Sequence, residues 1–277
     1  MTAPRPSIAD KRKTFHQLHE SGCFVIPNPW DVGSALYLQS LGFKALATTS
    51  AGFAWSQGQA DNAVTRDMVL AHLHELVAAS DLPVNADFEG GFADDPAGVA
   101  ESVRMAVETG VAGLSIEDST RDPAKPLYDI DLATERMRAA RKAIDQAGGD
   151  TMLVGRAECF LIGRPDLDET IARLKAYAGA GADCLYAPLL KTREQIAAVV
   201  AAVAPKPVNL LYSSPGEFSV ADIAALGVRR ISIGGSLART AWGGFMRASR
   251  LLAEGSFEGF KDGAPGGEIN KLFAGRK

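Results

Sequence analysis

Two carboxylates lie two residues apart in the segment PVNADFEGGFADDP (83–96). Asp87 and Glu89 follow an apolar run typical of a buried strand, and side chains two apart on a strand point to the same face. Two glycines come next and remove side-chain bulk beside the acids, so a small anion would have room there. A third carboxylate, Glu117, ends another strand-like run, GLSIE. Carboxylates gathered at one place resist joint ionisation, so this pattern predicts an acid cluster that needs a counter-charge.

A divalent cation or an arginine could supply that counter-charge. Mg²⁺ prefers oxygen ligands, keeps several waters and takes one or two protein carboxylates, so Asp87, Glu89 and Glu117 are the predicted metal ligands. Alternatively, the acids pair with arginines in a structural network. Arg156, in MLVGRAE, has a planar guanidinium that suits a substrate carboxylate. Glu158 could orient Arg156 or share the water around the metal, and an internal Arg156–Glu158 pair is the structural alternative.

The elements that position these residues alternate along the chain. Short β-rich runs are separated by longer amphipathic runs, which is typical of parallel β–α units. Eight such units suit a closed (β/α)8 TIM-type barrel, and a doubly wound open sheet is the competing architecture. The predicted strands are 24–27, 45–49, 84–88, 113–117, 152–158, 184–189, 208–212 and 230–235. We expect one barrel domain over 1–277, with an N-terminal helix and a C-terminal helical extension from about 250 to 277.

Active sites of such barrels lie at the carboxyl ends of the strands. Reading those ends adds polar, aromatic and small residues to the acids. Small residues let backbone N–H groups approach a ligand carboxylate, although a plain turn would have the same composition. The predicted substrate contacts are Trp30, Ser50, Ala51, Gly52, Arg156 and Asn209, and Tyr212 ends the seventh strand.

The bulk composition narrows the choice of partners. The net charge is −4 and no long basic run occurs, so nucleic acid and anionic membranes are poor partners. Cys23, Cys159 and Cys184 are scattered, which argues against a disulfide framework or a zinc site and favours the cytoplasm. The sequence shows no signal-peptide pattern and no run long enough for a membrane helix.

Several motifs together resemble one family. They are D-x-E-x-G-F (Asp87 to Phe92), IED (116–118), GRAE (155–158), PNPWDVGSA, ATTSAG, GADCLYAPL, VNLL and SIGGSLAR. With these motifs, nearly the whole chain resembles the isocitrate lyase/phosphoenolpyruvate mutase superfamily.

The resemblance implies a barrel that binds Mg²⁺ or Mn²⁺ and a 2-oxo acid or enolate-like ligand. It also implies a homotetramer, often with the last helix exchanged between subunits. By matched position, Asp87 resembles the direct metal ligand, and Glu89 and Glu117 resemble residues that hold metal-bound water. Ser50, Ala51 and Gly52 resemble the carboxylate-binding turn, Arg156 the substrate clamp, and Asp61 a residue of the mobile gating segment.

Two departures from the family decide the branch. The isocitrate and methylisocitrate lyases carry a Lys-Lys-Cys-Gly-His segment after the fourth strand, whereas this loop is STRDPAKPLYD and has no cysteine. Phosphonate-active members use an Asn in that loop and a His at the sixth strand, where this chain has Tyr186, Ala187 and Pro188. The departures favour an oxo-acid lyase or decarboxylase-like branch.

The main hypothesis is a Mg²⁺-dependent lyase that cleaves a C–C bond in a small 2-oxo- or 2-hydroxy-dicarboxylate through an enolate. Tyr212 is the first candidate for the general acid, followed by Tyr186 and metal-bound water. Segment 51–62 is expected to gate the mouth. Segment 251–273 is expected to pack on another subunit or on its own barrel. The alternatives are P–C bond chemistry at the same site and a barrel that binds an oxo acid without turnover.

Overall fold

The computed structural model describes residues 4–120 and 122–274. It contains eight parallel strands, and each lies within one of the predicted strand segments. The strands are β1 (Phe24–Ile26), β2 (Leu46–Ala47), β3 (Val84–Asp87), β4 (Gly113–Glu117), β5 (Met152–Arg156), β6 (Cys184–Tyr186), β7 (Val208–Leu211) and β8 (Arg230–Ser232).

The strands form a nearly closed barrel. Parallel ladders connect them in the order β1-β8-β7-β6-β5-β4-β3-β2. Among the described residues no ladder joins β1 to β2, but the backbone N–H of Ala47 donates to the Pro27 carbonyl at 3.0 Å. The predicted TIM-type (β/α)8 fold is therefore confirmed, and the open-sheet alternative is excluded.

Helices surround the barrel and close its ends. The helices are α1 (Ile8–Glu20), α2 (Val32–Ser40), α3 (Ser50–Ser56), α4 (Arg66–Ala79), α5 (Pro96–Glu108), α6 (Ile130–Gln146), α7 (Leu167–Gly179), α8 (Arg193–Val203), α9 (Val220–Ala225), α10 (Ser236–Ala253) and α11 (Gly266–Phe273), with a 3₁₀ turn at Glu258–Phe260. None of these helices is long and apolar enough to cross a membrane within the described part of the chain.

The first helix closes the amino-terminal end of the barrel, as predicted for an N-terminal helix. Ser7 caps α1, because its side chain accepts a hydrogen bond from Asp10 N. Phe15 is fully buried and packs with Ile26 and Met152. Burying side chains of this size contributes about 1.5–3 kcal/mol each, so α1 is part of the barrel core.

The predicted helical extension follows the barrel, as far as the structure describes it. After α10 the chain turns through the 3₁₀ segment, and α11 returns toward α2. A Cβ atom placed on Gly33 of α2 would lie 3.7 Å from Phe273 Cζ, so the extension packs on its own barrel. Large apolar side chains nevertheless remain exposed there, including Phe257 at 73% and Phe245 on α10 at 61%.

Candidate active site

Arg156, at the carboxyl end of β5, lies among three carboxylates. Its Nη1 is 3.0 Å from Glu117 Oε2 and 3.2 Å from Asp87 Oδ1. Its Nε donates to Glu158 Oε1 at 2.5 Å. Glu117 and Arg156 are register partners in the β4–β5 ladder. The barrel therefore brings three predicted acids and the predicted substrate clamp into one cluster.

This cluster carries more negative than positive charge. Three carboxylates and one guanidinium give a formal charge of −2 when all are ionised. Burial raises the pKa of Glu117 and of Glu158, and Arg156 offsets only part of that effect. Burial alone would lower the pKa of Arg156, but Glu117 and Glu158 raise it well above its usual value. Arg156 therefore stays cationic, while the acids compete for it.

Asp87 is held between Arg156 and the start of α3. Its Oδ2 accepts hydrogen bonds from Ser50 N at 3.0 Å and from Ser50 Oγ at 2.8 Å. Thr49 caps α3, because its side chain accepts from Gly52 N. The predicted carboxylate-binding turn is thus the first turn of a helix, and its Ser50 N–H is bonded to Asp87 in this structure.

Asp87 and Glu89 do not point to the same place, contrary to the sequence prediction. Strand β3 ends at Asp87, and Glu89 has a left-handed backbone with φ of 47°. Alternation of side chains applies only within a strand, so it fails at this position. Asp87 lines a cavity of about 340 Å³ that also contains Arg156, here called the inner cavity. Glu89 lines a neighbouring cavity of about 980 Å³, here called the outer cavity, and Glu117 lines the same one.

The first glycine after Glu89, Gly90, makes room for an arginine. A Cβ atom on Gly90 would lie 3.3 Å from Arg136 Nη2. Arg136, from α6, donates to the carbonyl oxygens of Gly90, Ala93 and Asp94. This buried clamp fixes the loop that carries Glu89. Gly90 also lines the outer cavity beside Glu89, so the clearance for an anion stays a prediction.

The inner cavity runs from a mouth at the strand ends toward the barrel interior. Ser50 and Ala51 line it, as predicted, and so does the fully buried Asn209. Asp61 also lines it and is exposed as a residue. Packing around the Asp61 carboxyl group raises its pKa, and repulsion from Asp87 raises it further. Asp61 therefore lies where a gating residue was expected.

Three predicted site residues lie elsewhere. Trp30 lines a surface groove with Trp242 and Phe245 instead of the inner cavity. Gly52 is buried, and a Cβ atom there would lie 2.7 Å from Thr49 Cγ2, so its role is close packing.

Tyr212 is the third, because its hydroxyl accepts a hydrogen bond from Phe218 N at 3.0 Å in the loop before α9. Tyr186 lines the inner cavity instead, and its ring centroid is 5.2 Å from Arg156 Cζ. Burial raises the pKa of Tyr186 to about 12, so the phenol is protonated at neutral pH.

The structure adds cavity residues that sequence reasoning missed. Arg239 lies at the mouth, and Arg230 lines the inner cavity from the barrel interior. Trp55, from segment 51–62 that was expected to gate the mouth, also lines this cavity. Arg239 belongs to the first turn of α10, beyond the strand end, and Arg230 begins β8 at the end opposite to the expected site. The sequence did offer one signal for Arg230, because it is a basic residue in a strand with alternating apolar residues that was expected to be buried.

Asp118 positions Glu158 by accepting a hydrogen bond from its backbone N–H. Its Oδ1 accepts from Glu158 N at 2.8 Å, and its Oδ2 accepts from Arg173 Nη1 at 3.1 Å and from the Tyr177 hydroxyl. Burial raises the pKa of Asp118, while the hydrogen bond from Tyr177 and the Arg173 charge oppose that change. The paired network holds the backbone from which Glu158 reaches Arg156.

The donor set of the cluster suits a hard cation. No group of three or more His, Cys, Asp or Glu side chains could bind an ion directly among residues 4–120 and 122–274. Mg²⁺ does not require such a group, because it keeps waters and takes one or two carboxylates. Asp87 can supply one carboxylate, and Glu117 and Glu89 lie on the adjoining wall. The excess negative charge around Arg156 favours an added cation.

Comparison with known proteins finds one family. The family model described as phosphoenolpyruvate phosphomutase matches residues 15–253. An uncharacterised protein of Mycobacterium tuberculosis strain H37Rv is 36% identical over 80% of this chain and 81% of its own length. An oxaloacetate decarboxylase of Paraburkholderia xenovorans is 27% identical over 80% of this chain and 74% of its own length.

Comparison with solved structures identifies related proteins of the same fold. A protein of Burkholderia cenocepacia, provisionally assigned as a lyase/mutase, is 48% identical with a TM-score of 0.93, and the match covers 96% of this chain and 97% of that one. Oxaloacetate acetylhydrolase in complex with its product oxalate is 27% identical with a TM-score of 0.85, and the match covers 95% of this chain and 94% of that one.

Proposed function

Because this chain belongs to the phosphoenolpyruvate phosphomutase family of the isocitrate lyase/phosphoenolpyruvate mutase superfamily, we propose that it is a Mg²⁺-dependent carbon–carbon lyase. Its substrate is a small 2-oxo- or 2-hydroxy-dicarboxylate. The observation that carries the proposal is the cluster of Arg156, Asp87, Glu117 and Glu158 beside Ser50, because it combines an anion-binding group with excess carboxylate.

Asp87 would hold the metal directly, and Glu89 and Glu117 would hold it through water. When bound, Mg²⁺ or Mn²⁺ supplies a Lewis acid that stabilises negative charge on the substrate carbonyl oxygen. A cation beside Asp87 and Glu117 would also reduce their attraction for Arg156 Nη1. That nitrogen could then donate to the substrate carboxylate, as Arg–carboxylate pairs commonly do.

The remaining residues orient the reacting groups. Glu158 keeps the guanidinium of Arg156 in plane through the bond to Nε. Ser50 has a hydroxyl and an N–H that donate to Asp87 in this structure, next to the position proposed for the substrate carboxylate. Fixing the substrate carboxylate aligns the breaking bond across the carbonyl plane. Asp61 and the segment around it would cover the mouth and exclude water.

Tyr186 replaces Tyr212 as the proposed proton donor, because only Tyr186 lines the inner cavity. For a 2-oxo-dicarboxylate such as oxaloacetate, CO₂ leaves as the C–C bond breaks, and the electron pair stays on the oxo-acid fragment as an enolate. For a 2-hydroxy substrate, Asp61, which lines the same cavity, would take the hydroxyl proton, the hydroxyl carbon would become the carbonyl of the oxo acid, and the electron pair would stay on the other acid fragment as its enolate. The protonated phenol of Tyr186 can then deliver a proton to the carbon that has lost its substituent. The raised pKa of Tyr186 suits an acid and not a base at neutral pH.

Two relatives support the substrate class. The names oxaloacetate decarboxylase and oxaloacetate acetylhydrolase both describe C–C cleavage of a short oxo-dicarboxylate. Three free cysteines support the proposed cytoplasmic location. The exposed apolar side chains of α10 and of the extension support the proposed homotetramer.

Calorimetry of Mg²⁺ and oxalate binding tests the site. We expect Asp87→Ala to lose Mg²⁺-dependent oxalate binding, because the direct metal ligand is gone. Asp168→Ala, an exposed acid at the start of α7, should bind like the wild type. Equal binding by wild type and Asp87→Ala would reject the site.

Product assays then distinguish the activities. Oxaloacetate and a 2-alkylmalate are the first substrates, and release of pyruvate or another oxo acid is expected. Phosphorus NMR that shows turnover of phosphonopyruvate, with none of these acids cleaved, would favour P–C bond chemistry. Binding of oxalate with no product from either assay would favour a non-catalytic barrel.

A further inference from the structure

Arg230 is a buried cation without an acidic partner among the described residues. It begins β8 and is only 2% exposed. Its Nε donates to Asn209 Oδ1 at 2.8 Å and its Nη1 to Asn85 Oδ1 at 3.3 Å. Neither partner carries charge. Burying an ion without a counter-ion is strongly unfavourable, so burial of the Arg230 charge destabilises the folded protein unless it has a compensating partner.

The other groups near Arg230 do not neutralise it. Burial lowers its pKa, and only the Cys184 thiol and the Tyr186 phenol oppose that change. Both are neutral at pH 7, because burial raises their own pKa values. His19 faces the same cation from α1, and burial together with Arg230 lowers its pKa to about 3. An arginine side chain remains protonated even under such conditions, so a positive charge sits in a neutral shell.

This charge borders the inner cavity. The two acids that line the inner cavity are Asp61, in the loop after α3, and Asp87, at the carboxyl end of β3. The lining near Arg230 consists of the neutral side chains of Asn85, Asn209 and Ser232. The outer cavity is lined by four carboxylates and one arginine. The floor of the inner cavity differs from the outer cavity, because the Arg230 cation has no acid beside it among the described residues, so an anion is stabilised at that floor.

The floor of the inner cavity is built to hold the guanidinium in place. Asn209 donates from Nδ2 to Ser232 Oγ at 2.9 Å, which turns its Oδ1 toward Arg230. A Cβ atom on Gly113 would lie 2.8 Å from Asn85 Oδ1, so the glycine provides the space for the second acceptor. The guanidinium is thus oriented by amides that leave its charge uncompensated.

We propose that Arg230 binds the distal carboxylate of a short dicarboxylate whose 2-oxo-acid end is held by Arg156 and Ser50. This inference rests on the proposed function for the position of the oxo-acid end. It adds a second anion subsite, inside the barrel and below the strand ends. Arg230 then selects dicarboxylates over monocarboxylates.

Calorimetry with the full chain and saturating Mg²⁺ tests the subsite. The probes are pyruvate, which has one carboxylate, and 3,3-difluorooxaloacetate, which has two. We expect Arg230→Met to weaken difluorooxaloacetate binding about tenfold or more, as for loss of a hydrogen bond to a charged group. Pyruvate binding should change by less than about twofold, because pyruvate does not reach the floor.

Two further variants serve as controls. Arg229→Met removes the adjacent arginine, which donates to the Gly22 carbonyl and does not line the inner cavity, and should keep the wild-type preference. If Arg230→Met does not fold, Arg230→Lys is used instead. It keeps the positive charge but loses the planar guanidinium that can donate two parallel hydrogen bonds. It should retain part of the preference for difluorooxaloacetate over pyruvate.

The outcomes are separable from those of the proposed function. Equal weakening of both probes, or an unchanged preference, would overturn the subsite and leave the lyase proposal standing. Loss of the preference in Arg239→Met instead of in Arg230→Met would also overturn the subsite. The second carboxylate would then bind at the mouth of the cavity. Arg230-dependent binding of succinate without any pyruvate or oxalate binding would keep the subsite and reject the lyase. No binding of any of these acids by the wild type would overturn both.

Discussion

At Arg156 the structure shows one of the two uses first considered for the acids, which is pairing with an arginine. Asp87, Glu117 and Glu158 do pair with an arginine, which was the structural alternative to a metal site. Yet a single guanidinium cannot satisfy three carboxylates, and burial raises the pKa of Glu117 and of Glu158. The pairing is therefore compatible with a cation-binding role, because it leaves negative charge uncompensated.

Another buried residue, His72, gives the protein a specific sensitivity to acid. Its ring stacks on Phe53 with centroids 4.0 Å apart, and burial lowers its pKa from 6.5 to about 4. Between these values the unfolded chain binds a proton that the native state does not, so stability falls as the pH falls from 6.5 to 4. The linked loss is about 3 kcal/mol.

We expect His72→Phe to lose less stability than the wild type between pH 6.5 and pH 4, by about 3 kcal/mol. Urea denaturation at a series of pH values measures this difference. His74→Gln, on the exposed face of the same helix, should follow the wild type. Parallel loss of stability in His72→Phe and wild type would show that His72 is not the group responsible.

At the scale of elements, the sequence predicted the strands better than the segments that connect them. β4 matches its predicted bounds, and the other strands are shorter than predicted. The strands were recognisable because their apolar runs are buried on both sides. Helix α3 was expected as a turn, since it is short and contains a glycine, but the Thr49 cap starts a helix there.

The positions that the sequence could not predict depend on single backbone angles or distant contacts. The left-handed φ of Glu89 separates it from Asp87, and no periodic pattern encodes that angle. Tyr212 is turned away by a hydrogen bond from the Phe218 backbone, which is a contact within a loop of irregular structure. The predicted strand ends therefore identified Arg156, Asp87 and Asn209 as residues that line the inner cavity. They could not predict the direction of every neighbouring side chain.

Packing of α1 against β4 depends on Gly113. A Cβ atom there would lie 2.7 Å from Phe15 Cε1 and 2.8 Å from Asn85 Oδ1. We expect Gly113→Ala to destabilise the protein by about 1–3 kcal/mol through overpacking, as measured by urea denaturation. Gly179→Ala, at the end of α7 with no atom within 4 Å of the added group, should be neutral or slightly stabilising. An unchanged midpoint for Gly113→Ala would contradict this account of the α1–β4 contact.

At the scale of the whole molecule, the exposed apolar surface is concentrated on α10 and the extension. Phe245 packs edge-on against Trp242, with ring centroids 5.5 Å apart, and both remain exposed. The folded-back α11 leaves this surface uncovered within one chain, which supports a role in subunit association.

We expect Phe245→Glu to lower the molar mass measured by size exclusion with light scattering, because a charge would be buried in the subunit contact. Leu132→Glu, at a partly exposed apolar position on α6, should keep the wild-type mass. A wild type that runs as a monomer would reject the proposed oligomer, and an unchanged mass for Phe245→Glu would place the contact elsewhere.

The ladder between β1 and β8 has a consequence for how a ribosome delivers this chain. β1 emerges long before its register partners in β8, Arg230 to Ser232. Until β8 has left the exit tunnel, the edge of β1 that pairs with β8 is open to wrong pairing. We therefore expect the exposed edge of β1 to need shielding until β8 has been synthesised.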